Sequence, residues 1–246
     1  VESLRYVIKQ KIFALADRVS VLRDGSLVAC DTIDKFDEHS LIRLMVGREL
    51  RFIPYHNQSG IGEVLFEVKN LTCEPYFRNV SFQVYRNEIL GITGLVGAGR
   101  SELAQCIFGL HKHHGGEIYL NGVKVEINNV AQAIEKGICY LPEDRREQGL
   151  FMTKSMRWNI SSAKLRLIMG RLGLLSNKKE TDLARDYIKQ LDIRPPLPDI
   201  NVINLSGGNQ QKTLVARWLS ANPKLLIVDE ITSGVDVGVK TEIHKL

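Results

Sequence analysis

The chain has little cysteine, four residues in 246, and none of it forms a Cys-x-x-Cys pair. That excludes a cysteine-built zinc site and a disulfide framework, so Cys30, Cys73, Cys106 and Cys139 read as reduced structural thiols. The even spacing of Cys73, Cys106 and Cys139 suggests a repeat, but their flanking residues have nothing in common. Blocks of one charge are also missing. The 33 Lys and Arg against 28 Asp and Glu give a formal charge of +5, and the two signs are interleaved. No Lys/Arg run carries interleaved aromatics, which argues against a nucleic-acid partner. No apolar run approaches the roughly 20 residues that cross a bilayer, and no signal-peptide pattern opens the sequence, so the expected membrane role is peripheral. His111, His113 and His114 share one loop-like stretch, but no acid or cysteine stands beside them at ligand spacing.

What is present is an ordinary globular composition, 44% hydrophobic and 25% charged, with enough length to bury a sizeable core. The chemistry is concentrated in three motifs. The run Leu205-Ser206-Gly207-Gly208-Asn209-Gln210-Gln211-Lys212 opens a helix with a hydroxyl and two glycines. Free backbone N–H groups and the helix dipole favour an anion there, although a Ser-Gly-Gly turn that merely caps a helix reads the same way. Upstream, Glu88 to Thr93 reads as a buried strand running into Gly94-Leu95-Val96-Gly97-Ala98-Gly99-Arg100-Ser101 and then into a helix from Glu102 to Phe108. Strand, glycine loop and helix is the order of a phosphate cradle, with Ser101 as the hydroxyl ligand of a nucleotide-bound magnesium. Where such loops carry Lys, this one has Arg100, a planar fork rather than a point charge. Downstream, Lys224 to Val228 reads as an apolar strand ending in Asp229 and Glu230. Asp229 is placed to hold magnesium and Glu230 to polarise an attacking water.

Together with Ser233-Gly234-Val235-Asp236-Val237-Gly238, these motifs resemble the ATP-binding domain of ATP-binding-cassette transporters. The wording of GLVGAGR, of Pro142 to Leu150, of LSGGNQQK and of GVDVG is similar to that of the second of two fused cassettes in bacterial importers of simple sugars. The resemblance implies an α/β P-loop NTPase of ABC type: a mixed sheet with an antiparallel flank and a helical insertion subdomain over about residues 150–220. It implies ATP and Mg2+ as cofactors, held by Gly94, Leu95, Val96, Gly97, Ala98, Gly99, Arg100, Ser101 and Glu102, with Ser101 and Asp229 on the metal and Glu230 as the catalytic base. It further implies that Leu205, Ser206, Gly207, Gly208, Asn209 and Gln210 contact an ATP bound to another cassette. Asp236 takes the place of the family's D-loop aspartate. Glu143 stands where most cassettes have a metal-sensing Gln, and Ile231 where the family usually has Pro.

The resemblance also divides the chain. Residues 1–50, with an Asp24-Gly25 hairpin and a short helix from Ser40 to Arg48, look like the end of a first cassette. Residues 51–63 read as a linker and residues 64–246 as the second cassette. The missing initial Met, and a promising helix still running at Lys240 to Leu246, suggest that both ends are cut. The family's switch histidine aligns near Val7, and residues 1–11 fit the family poorly. Short strands are expected at Val64–Val68 and Ser81–Val84, a hairpin over Glu117–Val125, a helix at Val130–Lys136 and a strand at Ile138–Leu141. Helical pattern then follows from Ser155 to Leu191 until Pro195, Pro196 and Pro198 end it. The implied partners are the missing first cassette or a second copy, inner-membrane permease subunits and, indirectly, a periplasmic sugar-binding protein. The implied location is peripheral, on the cytoplasmic face of the bacterial inner membrane. Two other readings stand beside import: a nucleotide-binding regulatory cassette without turnover, and a soluble cassette ATPase unconnected with transport.

Overall fold

In the computed structural model, residues 12–23, 25–47, 60–170 and 173–230 are described. The chain divides into two compact units at about residue 54. In the first, β1 (Arg18–Arg23) and β2 (Ser26–Thr32) pair antiparallel with a register shift between Val21 and Leu22. Gly25 takes a φ of +76° beside the turn, a conformation that costs a glycine little. Helix α1 (Glu38–Val46) starts on a reciprocal cap, since Ser40 N donates to Asp37 Oδ1 at 2.6 Å and Asp37 N to Ser40 Oγ at 2.9 Å. These bonds satisfy two backbone donors that the first turn leaves free. Val21, Leu41 and Ile42 bury a small core between hairpin and helix.

The second unit carries a four-stranded antiparallel sheet ordered β4-β3-β5-β6, built from β3 (Val64–Cys73), β4 (Phe77–Tyr85), β5 (Gly115–Leu120) and β6 (Val123–Val125). The β5–β6 turn puts Asn121 at φ +51° and Gly122 at +73°, the two positive angles that match a hairpin's twist. Helix α2 (Arg100–Ile107) precedes β5, and α3 (Val130–Lys136) runs into β7 (Ile138–Leu141), whose four residues are all buried. β8 (Leu225–Val228) pairs parallel with β7, Leu141 opposite Val228. A parallel pair this apolar needs cover on both faces. Part of that cover is an aromatic cluster: the Phe108 ring at the end of α2 lies 5.6 Å from Tyr140 and meets Trp218 edge-on at 5.4 Å.

The expected helical block is present as α4 (Met156–Ser161), a tight turn over Ser162–Ile168, α5 (Asn177–Gln190) and α6 (Gly207–Ser220). It is tied internally by Glu180, almost fully buried, which pairs with Arg157 at 3.1 Å and accepts from Ser161 Oγ at 2.7 Å. A buried carboxylate is tolerated when both kinds of partner reach it.

One expected element is absent. Residues 88–93 form no strand, and Ile89 and Ile92 are 75% and 51% exposed. An apolar run records that a segment can sit inside a parallel sheet, but its hydrogen bonds must come from neighbouring strands. Among the described residues β8 pairs with β7 alone, so the run lies unpaired against solvent. The Arg51 to Ser59 part of the linker, together with Val7, Ile231, Asp236 and the Lys240–Leu246 helix, falls outside the described residues.

Candidate nucleotide-binding site

The glycine loop has the backbone its sequence requires. Gly97 and Gly99 adopt φ of +80° and +83°, and α2 begins at the next residue, Arg100. A Cβ on Gly99 would stand 2.8 Å from the Tyr76 carbonyl oxygen, so both conformation and space demand glycine there. Gly99 does not cap the helix with a side chain, which leaves the first-turn N–H groups pointing outward beside a positive dipole end. Leu95 and Val96, at 85% and 99% exposure, keep the loop open. The inner face of α2, including Leu103, Ala104, Cys106 and Ile107, is buried and holds the loop's base in place.

The acidic strand end meets this loop. Asp229 follows β8 directly, its N–H donating to Leu141 O at 2.9 Å. Its Oδ2 accepts from the Tyr140 hydroxyl at 3.1 Å. Burial, with smaller contributions from the Asp229 and Glu143 charges, pushes the Tyr140 phenol up to about 12. Tyr140 is therefore a neutral donor at physiological pH, and it fixes one carboxylate oxygen while the other stays available. Behind it, Gln105 of α2 reaches the same hydroxyl at 3.5 Å, and His111 Nε2 lies 2.9 Å from Gln105 Oε1. Glu230 adopts φ +42°, an uncommon angle for a residue with a Cβ. Its carboxylate stands 3.6 Å from the Arg100 guanidinium. The residue that departs from the usual loop lysine thus faces the candidate base.

The LSGGNQQK turn is a separate surface. Ser206 precedes α6 in extended conformation and makes no cap bond, so its hydroxyl does not consume the helix's free N–H groups. Instead Ser206 Oγ lies 2.9 Å from Asn209 Nδ2, and Asn209 Oδ1 accepts from Arg194 N at 2.8 Å. Leu205 is buried. Gln210 is buried beneath the turn, its amide donating to Val202 O and Leu205 O at 3.3 and 3.0 Å. Among the described residues, no hydrogen bond or ion pair joins this turn to the 94–101 loop.

Reading the sequence missed three residues. Tyr76 lies against Gly99, 46% exposed, with its ring 5.5 Å from that of His111; a tyrosine eighteen residues ahead of the loop carries no local signal of that adjacency. Arg145 Nε donates to Gln210 Oε1 at 3.3 Å and connects the segment after β7 to α6. Tyr140, inside an apolar strand, gave no hint of its bond to Asp229. Glu143 itself is exposed at the end of β7, and Asp144 caps the following turn by accepting from Arg146 N and Glu147 N at 2.8 and 3.1 Å. His114 Nδ1 accepts from Glu74 N at 3.3 Å, so this histidine and His111 both have local packing roles.

A glycine loop that opens a helix, an acidic strand end beside it and a second, separate uncapped helix start are the parts expected of a nucleotide-binding cassette. The family model described as "ABC transporter" matches residues 77–233, and the chain belongs to that family. Over 96% of its length it is 44% identical to the ribose import ATP-binding protein RbsA of Caldanaerobacter subterraneus subsp. tengcongensis and 45% identical to the xylose import ATP-binding protein XylG of Thermoanaerobacter pseudethanolicus. The chain spans about half the length of these relatives, 48% of each. In fold it is similar to a nucleotide-free ATP-binding cassette from an ABC transporter, with TM-score 0.62 and 22% identity over 74% of this chain and 75% of that one. A dimeric cassette in a post-hydrolysis state bound to ADP and phosphate matches 74% of this chain and 80% of its own, with TM-score 0.60 and 22% identity.

Proposed function

We propose that this chain is part of the ATPase that energises a bacterial importer of simple sugars. In that reading residues 1–50 end a first cassette, 51–63 link it to a second, and 64–246 belong to the second. The observation that carries it is the meeting of the Gly97/Gly99 loop with the Asp229–Glu230 strand end through Arg100. The relatives named for ribose and xylose import supply the substrate class.

The loop from Gly94 to Glu102 would hold the ATP phosphates, and Tyr76 beside Gly99 would offer its exposed ring to the base. Mg2+ fits the donors present: Ser101 Oγ and the Asp229 carboxylate are hard oxygens, and Asp229 keeps an oxygen free of Tyr140. The ion would neutralise charge on the phosphates. Glu230 is the candidate base, yet Arg100 faces the carboxylate that must receive a water. This site therefore binds nucleotide and turns it over slowly, while Leu205 to Gln210 complete the faster site of the other cassette. Cassettes paired head to tail produce that division.

The partners are permease subunits in the inner membrane, met from its cytoplasmic face, and a periplasmic sugar-binding protein acting through them. Among the described residues no helix is long and apolar enough to cross a membrane. Reconstituting the intact two-cassette protein with its permease and binding protein in liposomes should give ATP-dependent uptake of a pentose or hexose. Uptake indifferent to ATP, or ATPase activity with no sugar movement, contradicts the reading.

A further inference from the structure

The side-chain amide of Asn209 has one orientation only. The Arg194 backbone N–H can do nothing but donate, so the Asn209 atom 2.8 Å from it must be the carbonyl Oδ1. The opposite end, 2.9 Å from Ser206 Oγ, is then the NH2 group. An amide NH2 has no lone pair to offer, so Ser206 must accept, and its own proton is turned away from Asn209. That hydroxyl also forms no bond to the first turn of α6, where the first intrahelical backbone bond is Gln210 N to Ser206 O at 2.9 Å.

From this geometry we infer that Asn209 is a positioning residue that aims the Ser206 proton at an anion. It locks the hydroxyl as a donor and leaves the Gly207 and Gly208 N–H groups free to donate beside it. The anion is the terminal phosphate region of a nucleoside triphosphate held by another cassette, so the inference rests on the composite-site reading above. The lock is anchored outside the turn, on Arg194 in the loop after α5. A serine released from it would be free to rotate and cap its own helix, taking up one of the N–H groups that phosphate requires.

Asn209→Asp separates this role from simple support. A carboxylate still accepts from Arg194 N–H, so the anchor survives, but it cannot donate to Ser206 and instead draws the serine proton towards itself. In the intact two-cassette protein with its permease, Asn209→Asp should keep the wild-type unfolding midpoint and lower kcat for ATP about 10- to 100-fold. KM should change less than about twofold, because the glycine N–H groups remain. In a Ser206→Ala background the same substitution retains only the effect of the added charge, with no hydroxyl left to aim, so its cost should be at least about fivefold smaller than in the protein that has Ser206. An equal loss from Asn209→Asp with and without the Ser206 hydroxyl would overturn the inference while leaving the composite site intact. Turnover unchanged by Ser206→Ala alone would overturn the role of Ser206, and the inference with it.

Discussion

Tyr140 has two separable jobs at the residue scale: its ring packs on Phe108, and its hydroxyl holds Asp229. Tyr140→Phe keeps the first and deletes the second, so it should lower stability by about 1 kcal/mol in urea unfolding. It should also weaken the dependence of nucleotide binding on Mg2+, because Asp229 loses its fixed orientation. Buried thiols and the Tyr140 phenol also predict an alkaline limit to stability. Burial raises the Cys139 thiol to about 11 and, with Cys73 adding to the effect, the Cys106 thiol to about 12, both from 9.0. Tyr140 rises from 10.0 to about 12. In each the folded protein holds its proton more tightly than the unfolded chain, so this stability is complete below pH 9.0 and is lost as pH rises towards about 11 to 12. Burial draws Arg217 from 12.5 down to about 10, an opposing effect that begins only above pH 10. Urea midpoints measured from pH 7 upward should begin to fall above pH 9, and Cys139→Ala should flatten that onset; stability rising between pH 9 and 10 contradicts the assignment.

Among the elements, the paired strands β3 and β5 approach so closely at the register shift between Lys69 and Thr72 that Gly116, at φ +91°, has no room for a side chain. An added Cβ would lie 2.5 Å from Asn70 O and from Leu71 Cα. Gly116→Ala should cost roughly 3 kcal/mol or more, read from thermal or urea unfolding, since both backbones must move. Arg217 makes a comparable demand on α6. Its guanidinium donates to Gly149 O and to Ser162 Oγ and lies 4.8 Å from the Phe151 ring centre. Arg217→Ala strands a buried carbonyl and opens a cavity, for an expected loss of roughly 2–3 kcal/mol. Elements whose signals are local could be read from the sequence. The helix at Val130–Lys136 and the strand at Ile138–Leu141 fall where periodicity put them, and the Asn121-Gly122 turn specified its hairpin. The 88–93 run failed for the converse reason, because a parallel strand is defined by its neighbours. The turn of the glycine loop was legible because glycines mark positive φ, and Gly97 and Gly99 adopt it; that the loop lies beside the Asp229–Glu230 strand end was expected from the order of the motifs. Tyr76, Tyr140 and Arg145 were not legible, because their roles come from contacts between distant segments.

For the molecule as a whole, the 94–101 loop and the Ser206 turn serve different nucleotides in the proposed composite-site reading. Among the described residues they share no hydrogen bond or ion pair. An isolated polypeptide of these 246 residues should therefore hydrolyse ATP little or not at all, and robust turnover by the purified monomer would refute the division. The two halves also predict unequal consequences in the intact protein. In the proposed reading the site built on Arg100, with its guanidinium 3.6 Å from Glu230, contributes little turnover, whereas Ser206 completes the productive one. The most direct measurement is steady-state ATP turnover by the intact two-cassette protein with its permease, comparing Glu230→Gln with Ser206→Ala. The account predicts that Glu230→Gln retains most of the activity while Ser206→Ala loses about 10-fold or more. Complete loss in Glu230→Gln with activity retained in Ser206→Ala would contradict it.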